Sequence, residues 1–187
     1  MLGGHRTTAF ETVLNPFQFS GVMAIDPSLV NGAPEPGLYD SAEVGVQTST
    51  TLLYGVDYVS GGYANNYMHT DWSSTGTNAF NFHFLQSDQP LSYVLQVISG
   101  NGAVTSVASG TIAAGTSPFD YSILYSSLST PITLTDVDVV DVSFGTGASG
   151  DYALGNMSLI TVAPEPASMA ALAIGAIGLL ARRRRRA

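Results

Sequence analysis

The densest group of chemically capable side chains lies in "TDVDVVDV", which carries Asp136, Asp138 and Asp141, with Asp151 following one loop later. On an extended strand Asp136 and Asp138 fall on one face. Their oxygens are hard ligands of the kind that hold Ca²⁺. The spacing fits no loop of defined calcium geometry, and charges along a sheet edge also keep sheets from pairing with one another. Asp136, Asp138 and Asp141 therefore read as a solvated edge and no metal site is predicted, a Ca²⁺ site being the alternative. The choice matters because residues 1–163 hold no lysine and one arginine, Arg6, so that these carboxylates must be met by water or by cations.

Three other stretches invite chemistry. His69-Thr70-Asp71 has the residue types of an acid–base pair. Neither G-x-S-x-G nor H-E-x-x-H accompanies it, and His5 and His83 lie far away in sequence, so exposed or hydrogen-bonded histidines are the expectation. "GTGASG", Gly145 to Gly150, satisfies G-x-G-x-x-G, but a dinucleotide loop must open a helix. The next residues, "DYALGNMSL", read as a strand, so a hairpin loop is expected. "YANNYMHTDW", Tyr63 to Trp72, offers aromatic faces with polar tips, suited either to a sugar platform or to core packing plus a loop. None of these groups makes a recognisable catalytic constellation. The sequence therefore predicts no catalytic residue, no cofactor and no enzyme.

The elements that must position these groups read as strands. In "AFNFHFL", Ala79 to Leu85, the three phenylalanines share one face and Asn81 and His83 the other. "LSYVLQVIS", Leu91 to Ser99, aligns Leu91, Tyr93, Leu95 and Val97 between two turn-forming clusters. Further strands are predicted over Phe17–Ile25, Thr48–Val59, Val104–Ile112, Asp120–Tyr125, Ile132–Phe144 and Tyr152–Thr161, while Asp26 to Asp40 reads as a loop. About eight short strands separated by turn signals imply an all-β fold: an antiparallel β-sandwich or jelly-roll-like domain. The absence of cysteine leaves this domain to be held by burial and backbone pairing alone.

Charge divides the chain. Before Pro164 one basic residue faces thirteen acidic ones, a balance of −12; from Pro164 onward five arginines face Glu165, a balance of +4. An acidic body repels phosphate backbones, which excludes nucleic acid as its partner. The terminal stretch has three blocks: Pro164-Glu165-Pro166, an uncharged run from Ala167 to Ala181, and Arg182, Arg183, Arg184, Arg185 and Arg186. As a helix the run would measure roughly 22 Å, short of the roughly 30 Å bilayer core. Snorkelling arginines and local thinning can absorb the mismatch. Composition alone leaves a weak membrane anchor, a buried core helix or an interfacial segment. Arginines placed directly after the run favour the anchor, with the arginines cytoplasmic and the body outside.

In this order, at this end of a chain, the three blocks resemble the PEP-CTERM sorting signal of Gram-negative, exopolysaccharide-producing bacteria. The resemblance implies that Pro164, Glu165 and Pro166 are recognised and processed by the membrane protease exosortase. It implies that residues 167–181 form one short transmembrane helix holding the chain transiently in the inner membrane, and that Arg182 to Arg186 stop transfer. The prolines would keep the triplet extended, since they fix φ and remove backbone donors. A second triplet, Pro34-Glu35-Pro36, has no apolar run or basic cluster after it and reads as a rigid loop. The strand before the tail, in "DYALGNMSLITVAPEP", ends as jelly-roll-like domains of such proteins do.

The expected organisation is an N-terminal segment over 1–16, an extracytoplasmic β-sandwich over 17–162 and the sorting tail over 163–187. The start, "MLGGHRTTAFETVLNPFQFSG", contains no apolar h-region, so a true start upstream of Met1 is expected. The implied function is that of an exported surface or matrix protein whose body is a non-catalytic structural or polysaccharide-associated module. Two alternatives use the same tail: an exported carbohydrate-active hydrolase, and a permanently tail-anchored membrane protein.

Overall fold

Phe80, Phe82 and Phe84 point to one side of their strand and are completely buried, as the period-two pattern predicts. They belong to one of two sheets in the computed structural model, which describes residues 6–16, 18–26, 36–59 and 61–163. The strands are β1 (Arg6–Leu14), β2 (Gly21–Asp26), β3 (Gly37–Ala42), β4 (Gln47–Tyr54), β5 (Val56–Val59), β6 (Gly62–Asn65), β7 (Ala79–Ser87), β8 (Leu91–Ser99), β9 (Val104–Ile112), β10 (Phe119–Leu124), β11 (Val137–Gly145) and β12 (Tyr152–Ile160). One sheet runs β1-β4-β11-β8-β9, the other β10-β7-β12-β3-β2, and β5 with β6 forms a separate two-stranded ribbon. Every pairing between these strands is antiparallel. The predicted all-β antiparallel sandwich is therefore present.

The core lies between the two five-stranded sheets. Leu52, Leu95, Val97, Val142 and Phe144 from the first meet Leu38, Phe80, Phe82, Phe84 and Leu154 from the second. Phe84 stacks on Phe119 with ring centroids 5.3 Å apart and meets Phe144 edge-on at 5.5 Å. Burial of such side chains stabilises by about 1.5–3 kcal/mol each. One polar bridge crosses the same interior: Asp40 of β3 accepts hydrogen bonds from Thr48 and Thr50 of β4 at 2.7 and 2.6 Å.

Four readings of the sequence change. Residues 6–14, set apart from the sandwich by sequence, form the edge strand β1 and pair with β4; the sandwich begins before residue 17. Gly37 to Asp40, read as the end of a loop, opens β3, paired with β2 and β12. Thr48–Val59 is two strands, broken at Gly55 where the backbone turns left-handed (φ 76°). Gly145–Gly150 does not close a hairpin: β11 and β12 lie in different sheets, so this loop crosses between them. A strand comes after it, as expected, and with no helix there the dinucleotide reading has no structural basis.

The C-terminal transmembrane helix predicted over 167–181, the triplet Pro164, Glu165 and Pro166, and Arg182 to Arg186 lie outside the described residues, as does His5. Among the described residues no helix is long and apolar enough to cross a membrane.

Candidate functional site

The start of β11 is irregular, and the irregularity assembles a cluster. The register of β11 against β8 shifts between Val137 and Val139, leaving Asp138 as the extra residue of a bulge. The segment after β6 runs alongside this bulge: Met68 N–H donates to Asp138 O at 2.8 Å, and Thr70 and Val137 exchange backbone hydrogen bonds at 3.0 and 2.9 Å. Between those anchors His69 is forced to a positive φ of 46°. Its Nδ1 lies 2.9 Å from Asp136 Oδ1 and 3.1 Å from Asp138 Oδ1.

The three residues differ in setting. His69 is half exposed, Asp136 is partly buried, and the Asp138 side chain is fully buried. Asp138 Oδ2 accepts the Gly102 N–H at 2.8 Å from the turn joining β8 to β9. That turn carries Gly100, Asn101 and Gly102 at φ of 67°, 56° and 80°. The positive φ of Gly102 favours glycine there, and a Cβ would stand 2.8 Å from the Tyr67 hydroxyl, which would have to shift. Asp138 Oδ1 is buried and receives no hydrogen bond: His69 Nδ1 is near it but is directed to Asp136. The hydrogen bond with Asp136, reinforced by the charges of Asp136 and Asp138, holds the His69 imidazole above its ordinary pKa.

This cluster corrects the predicted carboxylate group. Asp136 and Asp138 do come together, but Asp141 does not join them. It points to the outer face of the first sheet, where Leu53 and Gln96 flank it on the neighbouring strands. His69, 67 residues before Asp136, takes the third place. A pair of oxygens with an imidazole nitrogen does not suit Ca²⁺, which takes six to eight oxygens. His69 is thus half exposed and hydrogen-bonded, as expected, and it does not pair with Asp71. Asp71 Oδ1 instead accepts Ser73 N–H and Oγ at 2.7 and 2.6 Å, a local turn that lowers its pKa. His83 pairs across strands with Asp120 at 2.9 Å on the second sheet.

A second feature occupies the outer face of the first sheet. Leu53, Val56 and Val139 are buried there, with Tyr67 and Ile98 packed on them. Beside them opens a cleft of about 380 Å³, bounded on one side by Tyr63 and Asn65 of the ribbon. Its floor presents Glu11, Thr51, Gln96, Asp141 and Ser143. Thr51 and Ser143 pair through their hydroxyls at 2.7 Å. Burial raises the Asp141 pKa above the usual carboxylate value. An exposed aromatic ring beside amides, hydroxyls and carboxylates is the chemistry that grips a polyhydroxylated ligand. The aromatic stretch Tyr63 to Trp72 thus divides. Tyr63 stays exposed, edge-on to Tyr58 at 5.6 Å, while Trp72 is buried against Phe80.

The last described residues are anchored to the body by hydrogen bonds. Asn78 Nδ2 donates to Val162 O at 2.8 Å, and Val162 N–H donates to Asn78 Oδ1 at 2.7 Å. Thr161 Oγ1 donates to Gly76 O at 2.8 Å. The first proline of the triplet comes two residues after Val162.

The chain is similar in fold to several solved structures at low identity. The family 11 carbohydrate-binding module of the cellulosomal cellulase Lic26A-Cel5E of Clostridium thermocellum is 13% identical, over 84% of this chain and 88% of that one, with a TM-score of 0.49. An exo-beta-agarase is 14% identical over 83% of this chain and 23% of that one, with a TM-score of 0.46. The enzymatically active domain of tailspike protein 4 of bacteriophage CBA120 is 12% identical over 83% of this chain and 19% of that one, with a TM-score of 0.43. No curated protein matches the sequence. A protein-family model does match, and its span takes in both the triplet and the arginine cluster: residues 162–186 are a PEP-CTERM protein-sorting motif.

Proposed function

We propose that this chain is an exported cell-surface or extracellular-matrix protein, processed by exosortase, with a non-catalytic body that associates with polysaccharide. The observation that carries the sorting half is the PEP-CTERM motif over 162–186. In this reading exosortase recognises Pro164, Glu165 and Pro166. Residues 167–181 cross the inner membrane for a time, and Arg182 to Arg186 stay on the cytoplasmic side, where positive charge is retained. The clamp of Asn78 on Val162 supports it physically, because it fixes the chain to the body two residues before the triplet.

The body's half of the proposal rests on the cleft between Tyr63 and Asp141. Stacking on tyrosine and hydrogen bonding to amides and carboxylates is how a sandwich face holds an extended sugar chain. A carbohydrate-active hydrolase is the second reading, favoured by one observation. Asp141 is a carboxyl with a raised pKa sharing its cleft with Glu11, and glycosidic cleavage uses such pairs. Turnover of a polysaccharide, lost in Asp141→Asn, would establish the hydrolase; unchanged polysaccharide with retained binding supports the module.

Sorting is tested by fractionating a native host that makes the whole chain, beside a variant with Pro164→Ala and Pro166→Ala. The proposal expects the parent outside the cell and the variant in the membrane fraction. Equal distribution of the two would refute a role for the triplet.

A further inference from the structure

We infer that His69, Asp136 and Asp138 form a binding site for one divalent transition-metal ion of the zinc class, with His69 Nδ1 and one oxygen of each carboxylate as ligands. Three potential ligand atoms, one from each residue, lie within 4.8 Å of one another. The two separations from Nδ1, 2.9 and 3.1 Å, are close to the roughly 3 Å spacing of adjacent ligands bound at about 2.0–2.1 Å. An imidazole with two carboxylates is a borderline donor set, suited to zinc or manganese.

The second observation is the bare oxygen of Asp138. Its side chain is fully buried, yet Oδ1 accepts no hydrogen bond. A buried polar atom left so is costly, and a charged one more so. A proton on His69 Nδ1 relieves this only through its charge, because that single N–H is directed to Asp136 and leaves Asp138 Oδ1 without a hydrogen bond. A metal ion at the point where the three atoms converge satisfies all of them at once. Nor, among the described residues, does a basic side chain stand in for it. The one arginine of residues 1–163 is Arg6, on the edge strand β1 in register with Tyr54, and it makes no ion pair with Asp136 or Asp138.

The surroundings have the character of a supporting shell. Gly102 N–H holds the second oxygen of Asp138 and so orients the carboxylate. Tyr67 packs edge-on to the His69 ring with centroids 5.7 Å apart. The backbone pairing of Met68 and Thr70 with β11 fixes the imidazole over Asp138. A bound ion would tie the segment after β6 to the β11 bulge, and through it to the β8–β9 turn, which makes the site structural.

The test uses the full-length chain in neutral detergent, carrying no polyhistidine tag and stripped of metal. Calorimetric titration with zinc chloride at pH 7.5 is compared with His69→Asn and Asp136→Asn. Both positions are at least partly exposed, and asparagine tolerates the left-handed backbone at 69. The inference expects one zinc ion per chain, at least a tenfold weaker affinity in each variant, and a zinc-dependent rise in Tm that both variants lose. Cobalt(II) should give the absorption bands of a low-coordinate nitrogen–oxygen site in the parent alone. No saturable zinc binding, or binding of equal strength in parent and variants, would overturn it. Asp138→Asn is reserved as a third variant, since its burial makes misfolding the first risk.

Discussion

Asn78 grips Val162 by both edges of its backbone, accepting from its N–H at 2.7 Å and donating to its carbonyl at 2.8 Å. This two-point clamp holds the end of the body where the sorting motif begins. Asn78→Ala removes both hydrogen bonds and should cost about 1–3 kcal/mol of stability. Amide exchange at Val162 should rise sharply while exchange in β7 and β12 stays slow. Uniform loss of protection throughout would mean that Asn78 supports the whole sandwich and not its terminus.

A second prediction concerns the polar bridge inside the core. Burial holds the Asp40 carboxyl above its ordinary pKa, although hydrogen bonds from Thr50 and Thr48 oppose this. A carboxyl with a raised folded-state pKa binds its proton more tightly in the native chain than in the unfolded one. Its contribution to stability is present below the unfolded pKa and is lost as pH rises through the folded one. Denaturant titrations should therefore show parent stability falling, relative to Asp40→Asn, as pH rises from about 4. Asp40→Ala, which strips two hydroxyls of their acceptor, should instead lose about 1–3 kcal/mol or more. A parent and Asp40→Asn with parallel pH profiles would contradict this account of Asp40.

The break between β4 and β5 gives a third. Gly55 sits at φ 76°, and a Cβ there would lie 2.1 Å from Asp138 O. Gly55→Ala should cost more than the roughly 1–2 kcal/mol of a left-handed residue alone. Because the backbone that must move belongs to Asp138, the β11 bulge should move with it. Chemical shifts of Met68, His69 and Val139 report this directly, and an unshifted spectrum would argue that Gly55 relaxes on its own.

The cleft gives a fourth. Tyr63 is exposed, so Tyr63→Ala should change stability by no more than about 0.5 kcal/mol. Affinity for an acid-free polysaccharide, measured by pull-down and by affinity electrophoresis, should fall about tenfold, the loss of one stacking anchor. Gln96→Ala on the facing floor should act in the same direction. Retention of full affinity in both would place the sugar-binding surface elsewhere.

Much of the fold was legible because the sheets obey a local rule. Period-two alternation marks β7 and β8 in the sequence, and the ends of β8 and β9 coincide with the predicted ones. The edge strand β1 was not legible: its sequence, RTTAFETVL, mixes polar and apolar residues with no clear period, and its burial is too slight to impose one. Asp138 shows why the site was only half legible. Spacing put it on a face with Asp136, but a bulge, invisible in sequence, turned it inward. His69 joined through a contact 67 residues long, for which one sequence holds no signal. A paired glycine turn, Gly100-Asn101-Gly102, was the one local hint that backbone N–H groups converge there.

If the tail is a processed sorting signal, the sandwich is the working product. The intact mass of the mature protein from its native host decides this, with membrane and extracellular fractions compared. Processing predicts an extracellular species whose C-terminus falls within residues 164–167. A species that still carries Arg182 to Arg186, confined to the membrane, would contradict it and make the tail a permanent anchor.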